Sequence, residues 1–285
     1  QSVYENINND YNIKFLPFTQ FEKVNFRKLK INFSKEYYTP QKDESISYKK
    51  YGTFFIDFFQ NHLIFTDYKG RIYLAKNFKK ILYKNKSITP LMLKKNKEFV
   101  RVYDALILGE KIYISHSEIN NQCKTPHVSY ANLNFDKLNF KKLYSSNECN
   151  KNGSPGKLQP YKYKNKDGLI ISTAEGKNDL IGSKIQDKNS IYGKILFIPF
   201  DGSEISILSL GHRVIQGLNV NDNNIIIATE HGPRGGDEIN IVKSGNNYGW
   251  PLASYGINYI GTKFTDKTSI RGMIDPIHYW VPSIA

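Results

Sequence analysis

Apolar residues along the chain come in short runs of three or four β-formers, each entered from a polar turn and left through Ser, Thr or Ala into polar residues. Four such segments resemble one another: NHLIFTDYKGRIYLA (61–75), EKIYISHSE (110–118), DGLIISTAEG (167–176) and NNIIIATEHG (223–232). Aligned on Ile64, Tyr113, Ile170 and Ile226, they recur at offsets of 49, 57 and 56. A second apolar stretch follows each one: GRIYLA (70–75), VSYANLNF (128–135), GKILFIPFDG (193–202) and DEINIVKSG (237–245). Little helical periodicity separates them. A repeat of about 50 residues that holds several short strands predicts an all-β β-propeller, because each thin sheet must stack on its neighbours to bury its faces. Generic hairpins in a β-sandwich are the competing arrangement.

The first 50 residues follow the period less well. YNIKFLPF (11–18) and FRKLKINF (26–33) alternate like strands, and the segment from Glu36 to Lys50 is polar. Residues 1–50 are therefore read as uncertain N-terminal strands or a closing arm, and residues 51–285 as the propeller domain.

Composition fits strands: the 285 residues include 20 Tyr and 17 Phe. The formal net charge of +14 raises the question of nucleic acid. Only six of the 40 basic residues are Arg, and the lysines are spread along the chain among Asn and Ile. Bidentate phosphate and base recognition needs clustered Arg, so no nucleic-acid partner is expected. No run of about 18 apolar residues suggests a membrane span. The start at Gln1 is compatible with a removed leader and with export. Cys123 and Cys149, 26 residues apart, fit neither CxxC nor a zinc knuckle; a disulfide and two free thiols both remain open.

Three stretches carry chemistry: GHRVIQGL (211–218), IIIATEHGPRGGDEINIVKSGNNYGWP (225–251) and YWVPSIA (279–285). With them the chain resembles the soluble quinoprotein glucose/sorbosone dehydrogenases, in particular their aldose sugar dehydrogenase branch. The likeness extends over about 190–285, and more loosely over 100–190. It implies a six-bladed propeller of which this chain covers four to five blades, pyrroloquinoline quinone (PQQ) held with Ca2+, and hydride transfer from the anomeric carbon of a sugar to the quinone. It also implies a periplasmic or extracellular location. The electron acceptor and the oligomeric state stay open.

Carried over residue by residue, the resemblance implies that the backbone carbonyls of Gly232 and Pro233 ligate calcium, a hard cation suited to oxygen donors. Arg213 and Gln216 are the implied cofactor-binding residues, a guanidinium being able to grip carboxylate oxygens in pairs. The family's next cofactor-contacting Asn is Val214 here, and the following Pro is Ile215. The general-base His falls on Gly153, within GSPGKL (153–158), so the catalytic base is unassigned; His127 and His231 are the substitutes. Glu175 matches an acidic position that orients that His in relatives, with nothing evident to orient here. His116 and His127 are read on loops, and His212 beside Arg213 as close to the pocket. Asp237 and Glu238 point to opposite faces of a strand and are expected to accept loop amides or pair with Arg234. GNNYGWP (245–251) is read as a tight turn with Asn and Gly at positive φ and Trp250 as packing.

Relatives continue beyond a PSIA-like segment into two more blades. The expectation is thus either an incomplete ring or strands supplied by the N-terminal region. The departures at Gly153 and Val214 support a second reading, a catalytically inactive propeller that binds carbohydrate or protein.

Overall fold

A computed structural model describes residues 54–77, 90–121, 123–149, 155–175 and 183–284. Residues 1–50 and Gly153, both named above, lie outside the described residues. Strands β1 (Phe54–Phe59), β2 (His62–Asp67), β3 (Arg71–Ala75) and β4 (Leu91–Lys95) form the first sheet in the order β1-β2-β3-β4. The second sheet is β5 (Arg101–Leu108), β6 (Lys111–Asn120), β7 (Cys123–Asn132) and β8 (Lys141–Ser145), again in sequence order. The third holds β9 (Pro155–Tyr163), β10 (Lys166–Thr173), β11 (Lys194–Pro199) and β12 (Ser206–Leu210). In the fourth, β13 (Ile215–Val220), β14 (Ile226–Glu230) and β15 (Asp237–Val242) are closed by β17 (His278–Trp280). Its two-residue β16 (Asn246–Asn247) crosses to the third sheet and pairs in parallel with β12. The one helix among the described residues, α1, is a single turn at Ser183–Gln186.

The first strands of successive sheets lie side by side, β1 against β5, β5 against β9 and β9 against β13. The four sheets therefore fan about a common axis as propeller blades, with β4, β8, β12 and β17 outward. Every segment of the sequence repeat is the second strand of a blade (β2, β6, β10, β14), and each following stretch holds the third strand. Local chemistry sets the hairpins. Lys164 and Asn165, both at positive φ (47° and 63°), link Tyr163 to its partner Lys166, the paired left-handed geometry that a two-residue turn needs to match strand twist.

The core lies between blades. Ile64, Ile72 and Leu74 of the first blade pack against Ile112, Ile114 and Ala131 of the second. On the opposite face of the second blade, Tyr113 and Val128 meet Leu169, Ile171 and Leu196 of the third. Ile170, Ile195 and Phe197 then meet Ile226, Ala228 and Val242 of the fourth. Neighbours along one strand, Leu169 and Ile170, thus serve two different cores, because a strand's side chains alternate between faces. This double-sided demand explains why central strands read as continuous apolar runs: all six residues of β11 are buried.

Two local readings are corrected. His116 and His127 are not on loops; they are directly paired across β6 and β7 and are buried. In GNNYGWP the two Asn are extended and add an edge strand to the third blade, while Gly245 and Gly249 alone take positive φ. Cys123 and Cys149 are bonded, with Cα atoms 5.7 Å apart. The bridge ties the β6–β7 hairpin tip to the segment after β8. No helix among the described residues is long and apolar enough to cross a membrane.

Candidate functional site

Strand register shows which loops share one end of the propeller. Glu230, the last residue of β14, is opposite Ile215, the first residue of β13, and Glu238, the second of β15. The loops 211–214 and 231–236 are therefore neighbours. Thr173, ending β10, is opposite Pro155, so residue 175 emerges at the same end of the third blade. The contacts below join those two rims.

Arg213 is the centre of the constellation. Its Nη1 donates to the carbonyl oxygens of His231 and Gly232, each at 2.8 Å. Its Nε is 3.3 Å from Glu175 Oε1, and its guanidinium carbon is 5.4 Å from the centre of the Trp250 ring. Trp250 in turn donates its indole N–H to Glu175 Oε2 at 3.0 Å. Backbone bonds fix the frame: Glu175 N–H donates to Arg213 O, and His231 N–H to Val214 O, both at 2.9 Å. Val214 contributes here through its carbonyl.

The 231–236 turn has its shape because glycine fills it. A Cβ on Gly232 would overlap the backbone of Gly235 and Gly236, and those two residues take φ of 88° and 76°. Asp237 caps the turn: its Oδ1 accepts Gly232 N–H at 2.9 Å and Ser283 Oγ at 3.0 Å, and its Oδ2 accepts Ile284 N–H at 2.9 Å. The expected role of Asp237 as an acceptor of loop amides is what the structure shows. The Pro233 carbonyl has Ser283 Oγ at 3.4 Å. Gln216, on β13, is exposed.

Behind the turn lies a buried polar relay that sequence reasoning did not assign. His212, wholly buried, is held by Glu230 Oε1 at 2.6 Å through Nδ1, by Ser209 Oγ at 2.8 Å through Nε2, and by stacking on Tyr248. Glu230 Oε2 accepts the backbone N–H of Arg213 at 3.1 Å, so the pair positions Arg213. Asn240 Nδ2 bridges Glu230 Oε1 (3.0 Å) and Glu238 Oε2 (3.1 Å). Burial, with the Glu230 charge adding to it, pushes the Glu238 carboxyl up to about 8. The only sequence signal for the relay was a Glu placed directly before the His231-Gly232-Pro233 turn.

Of the substitutes for a base, His231 is partly exposed at the rim, with Nδ1 3.3 Å from Asp237 Oδ1. His127 is buried within β7, bonded to Thr125 Oγ1 at 2.7 Å and Ser145 Oγ at 3.1 Å, and burial lowers its pKa. Its partner His116 stacks on Phe99 and is pushed down to about 3, by burial first and then by the His127 and Lys142 charges. Glu175, with no His to orient among the described residues, instead holds Arg213 and Trp250.

Radially stacked sheets, with Arg213 and the 231–236 turn brought together at one rim, define a β-propeller. The glucose/sorbosone dehydrogenase family pattern matches residues 108–285, more than half of the chain, and the protein belongs to that family. It is 42% identical to the aldose sugar dehydrogenase of Escherichia coli over 118 residues, covering 40% of this chain and 32% of that one. It is 38% identical to quinoprotein glucose dehydrogenase B of Acinetobacter calcoaceticus over 82 residues, covering 25% and 17%. The matched stretch is thus about a third or less of the length of these curated relatives. The crystal structure of the soluble Escherichia coli aldose sugar dehydrogenase in its apo-form superposes with a TM-score of 0.65 at 26% identity, covering 81% of this chain and 72% of that one. A PQQ-bound aldose sugar dehydrogenase from Streptomyces coelicolor shares the fold, with a TM-score of 0.57 at 19% identity, covering 77% and 64%.

Proposed function

We propose that the protein is a PQQ- and calcium-dependent aldose dehydrogenase. The observation that carries this reading is the grip of Arg213 on the carbonyls of residues 231 and 232 at 2.8 Å. It means that the Gly232 oxygen already faces a cation, and that a guanidinium is on hand for an anionic cofactor. The donor set fits: carbonyl oxygens of a glycine-shaped turn suit a hard divalent ion, and a polycarboxylate suits a forked guanidinium. Gly232 and Pro233 would hold the ion, and Arg213 with Gln216 the quinone. When bound, the quinone supplies the hydride acceptor and the ion the electrophilic polarisation. The chain's own part is positioning. Glu230 and His212 fix the Arg213 backbone, Glu175 fixes its side chain, and Trp250 closes one side against water.

The proton on the sugar hydroxyl needs an acceptor, and among the described residues His231 is a partly exposed imidazole at this rim. A periplasmic or extracellular location agrees with the Cys123–Cys149 bridge, since such bonds persist in oxidising compartments. The test is to add PQQ and Ca2+ to purified protein, record the quinone absorbance, and follow dye reduction while titrating aldoses. A spectral shift with aldose-dependent turnover is the expected result; neither shift nor turnover overturns the reading.

A second reading rests on Gly153 at the family's base position and Val214 at a cofactor contact. It makes the protein a non-catalytic propeller that binds carbohydrate or protein. A spectral shift without turnover for any aldose supports it.

A further inference from the structure

We propose that Arg213 serves as a resident cation on the 231–232 carbonyls, so that a divalent ion binds this turn tightly only when an anionic ligand draws the guanidinium away. The inference rests on the calcium reading above and adds a condition to it. The Gly232 oxygen cannot give its full charge to a metal ion while Arg213 Nη1 holds it at 2.8 Å, and the same nitrogen also holds the His231 oxygen at 2.8 Å. Steric competition is only part of the effect. A dication arriving at that oxygen meets a like charge within a few ångströms, inside a mouth where the Arg213 side chain is only 13% exposed and solvent screens little.

The carboxylate that pairs with the guanidinium itself, Glu175, is divided between Arg213 Nε at 3.3 Å and the Trp250 indole at 3.0 Å, while Glu230 and Asp237 direct theirs to the backbone N–H groups of Arg213 and Gly232. An incoming polycarboxylate changes the balance. It supplies acceptors for the guanidinium fork, frees the Gly232 oxygen and adds negative charge beside the ion. Metal and anion then bind with positive coupling, and the coupling is reciprocal. The arrangement disfavours calcium alone and disfavours small neutral ligands at the carbonyls.

Calorimetry with Ca2+ on the purified chain, with and without PQQ, tests this. Arg213→Gln and Arg213→Met both remove the charge; the second fills the space beside Trp250 and serves if the first does not fold, as judged by circular dichroism. Either neutral variant is expected to bind Ca2+ alone about tenfold or more tightly than the unaltered protein, the change expected when one competing contact of ordinary strength is lost. It is also expected to gain less from PQQ than the unaltered protein does. Equal or weaker Ca2+ binding by the neutral variants overturns the inference and leaves the calcium reading intact. No Ca2+ binding by any of the proteins, with or without PQQ, overturns the calcium reading and this inference with it.

Discussion

Trp250 donates its indole N–H to Glu175 across 75 residues of sequence, at 3.0 Å. The bond joins the loop after β10 to the excursion between β16 and β17, and it lies against Arg213. Glu175→Ala removes the acceptor of a largely buried indole and one side of the Arg213 cradle. The expected loss is about 1 kcal/mol of stability, typical of one net hydrogen bond. The fluorescence maximum should move to the red, and with two Trp in the chain the Trp250 component can be resolved by comparison with Trp250→Phe.

Gly232→Ala places a methyl group against the backbone of Gly235 and Gly236. Backbone cannot yield as a side chain can, so the turn must open and the Gly232 oxygen must leave Arg213. A loss of about 1–3 kcal/mol is expected, the usual range for substitutions that force a strained backbone to move. Thermal melting and Ca2+ calorimetry in the presence of PQQ read the two consequences separately.

Lys194 is wholly buried on β11, and its Nζ donates to the carbonyls of Lys184 (3.0 Å), Ile185 (2.8 Å) and Tyr192 (2.6 Å). It anchors the single turn of α1 to the third blade. Lys194→Met keeps the length of the chain and leaves these acceptors without their donor. Each unsatisfied buried group costs about 1–3 kcal/mol, so a loss of at least 2 kcal/mol in a urea melt is expected.

The buried pair His116 and His127 gives stability a pH dependence of definite sign. In the folded protein His116 is pushed down to about 3, chiefly by burial, while in the unfolded chain an imidazole keeps its ordinary value of about 6.5. Between these values the unfolded state binds the extra proton. Stability is therefore fully present above about pH 6.5 and falls as the pH is lowered toward 3, by up to about 1.4 kcal/mol per pH unit for one such group. His127 shifts in the same direction, by burial first, with Glu118 opposing and Lys142 adding to the shift. Denaturant midpoints measured from pH 7.5 to 4 should show this limb. His116→Phe, which retains the stack on Phe99, should flatten it; an unchanged slope would assign the acid loss to other groups.

Reducing Cys123–Cys149 opens a loop defined by a sequence separation of 26. Loop-closure entropy puts the cost at roughly 3 kcal/mol. A fall in melting temperature on adding dithiothreitol, absent in a Cys123→Ala/Cys149→Ala variant, is the expected outcome.

The sequence by itself determined the blades. A period set by apolar runs is a local signal, because alternation along a strand decides which residues face a neighbouring sheet, and Ile64, Tyr113, Ile170 and Ile226 all proved to be on the second strand of a blade. The glycine-rich turn at 232–236 and the bond from Gly232 N–H to Asp237 were legible for the same reason: both depend on residues a few positions apart, whereas the Ile284 N–H that Asp237 also accepts comes from 47 residues away. Tertiary structure alone decided that Arg213 reaches the 231 and 232 carbonyls, that Glu175 serves Arg213 and Trp250, that Glu230 and His212 stand behind them, and that His116 faces His127 inside a ladder. These contacts join segments that meet only when blades stack in a given register, and that register is fixed by the sum of many interblade apolar contacts, which no single stretch of chain encodes.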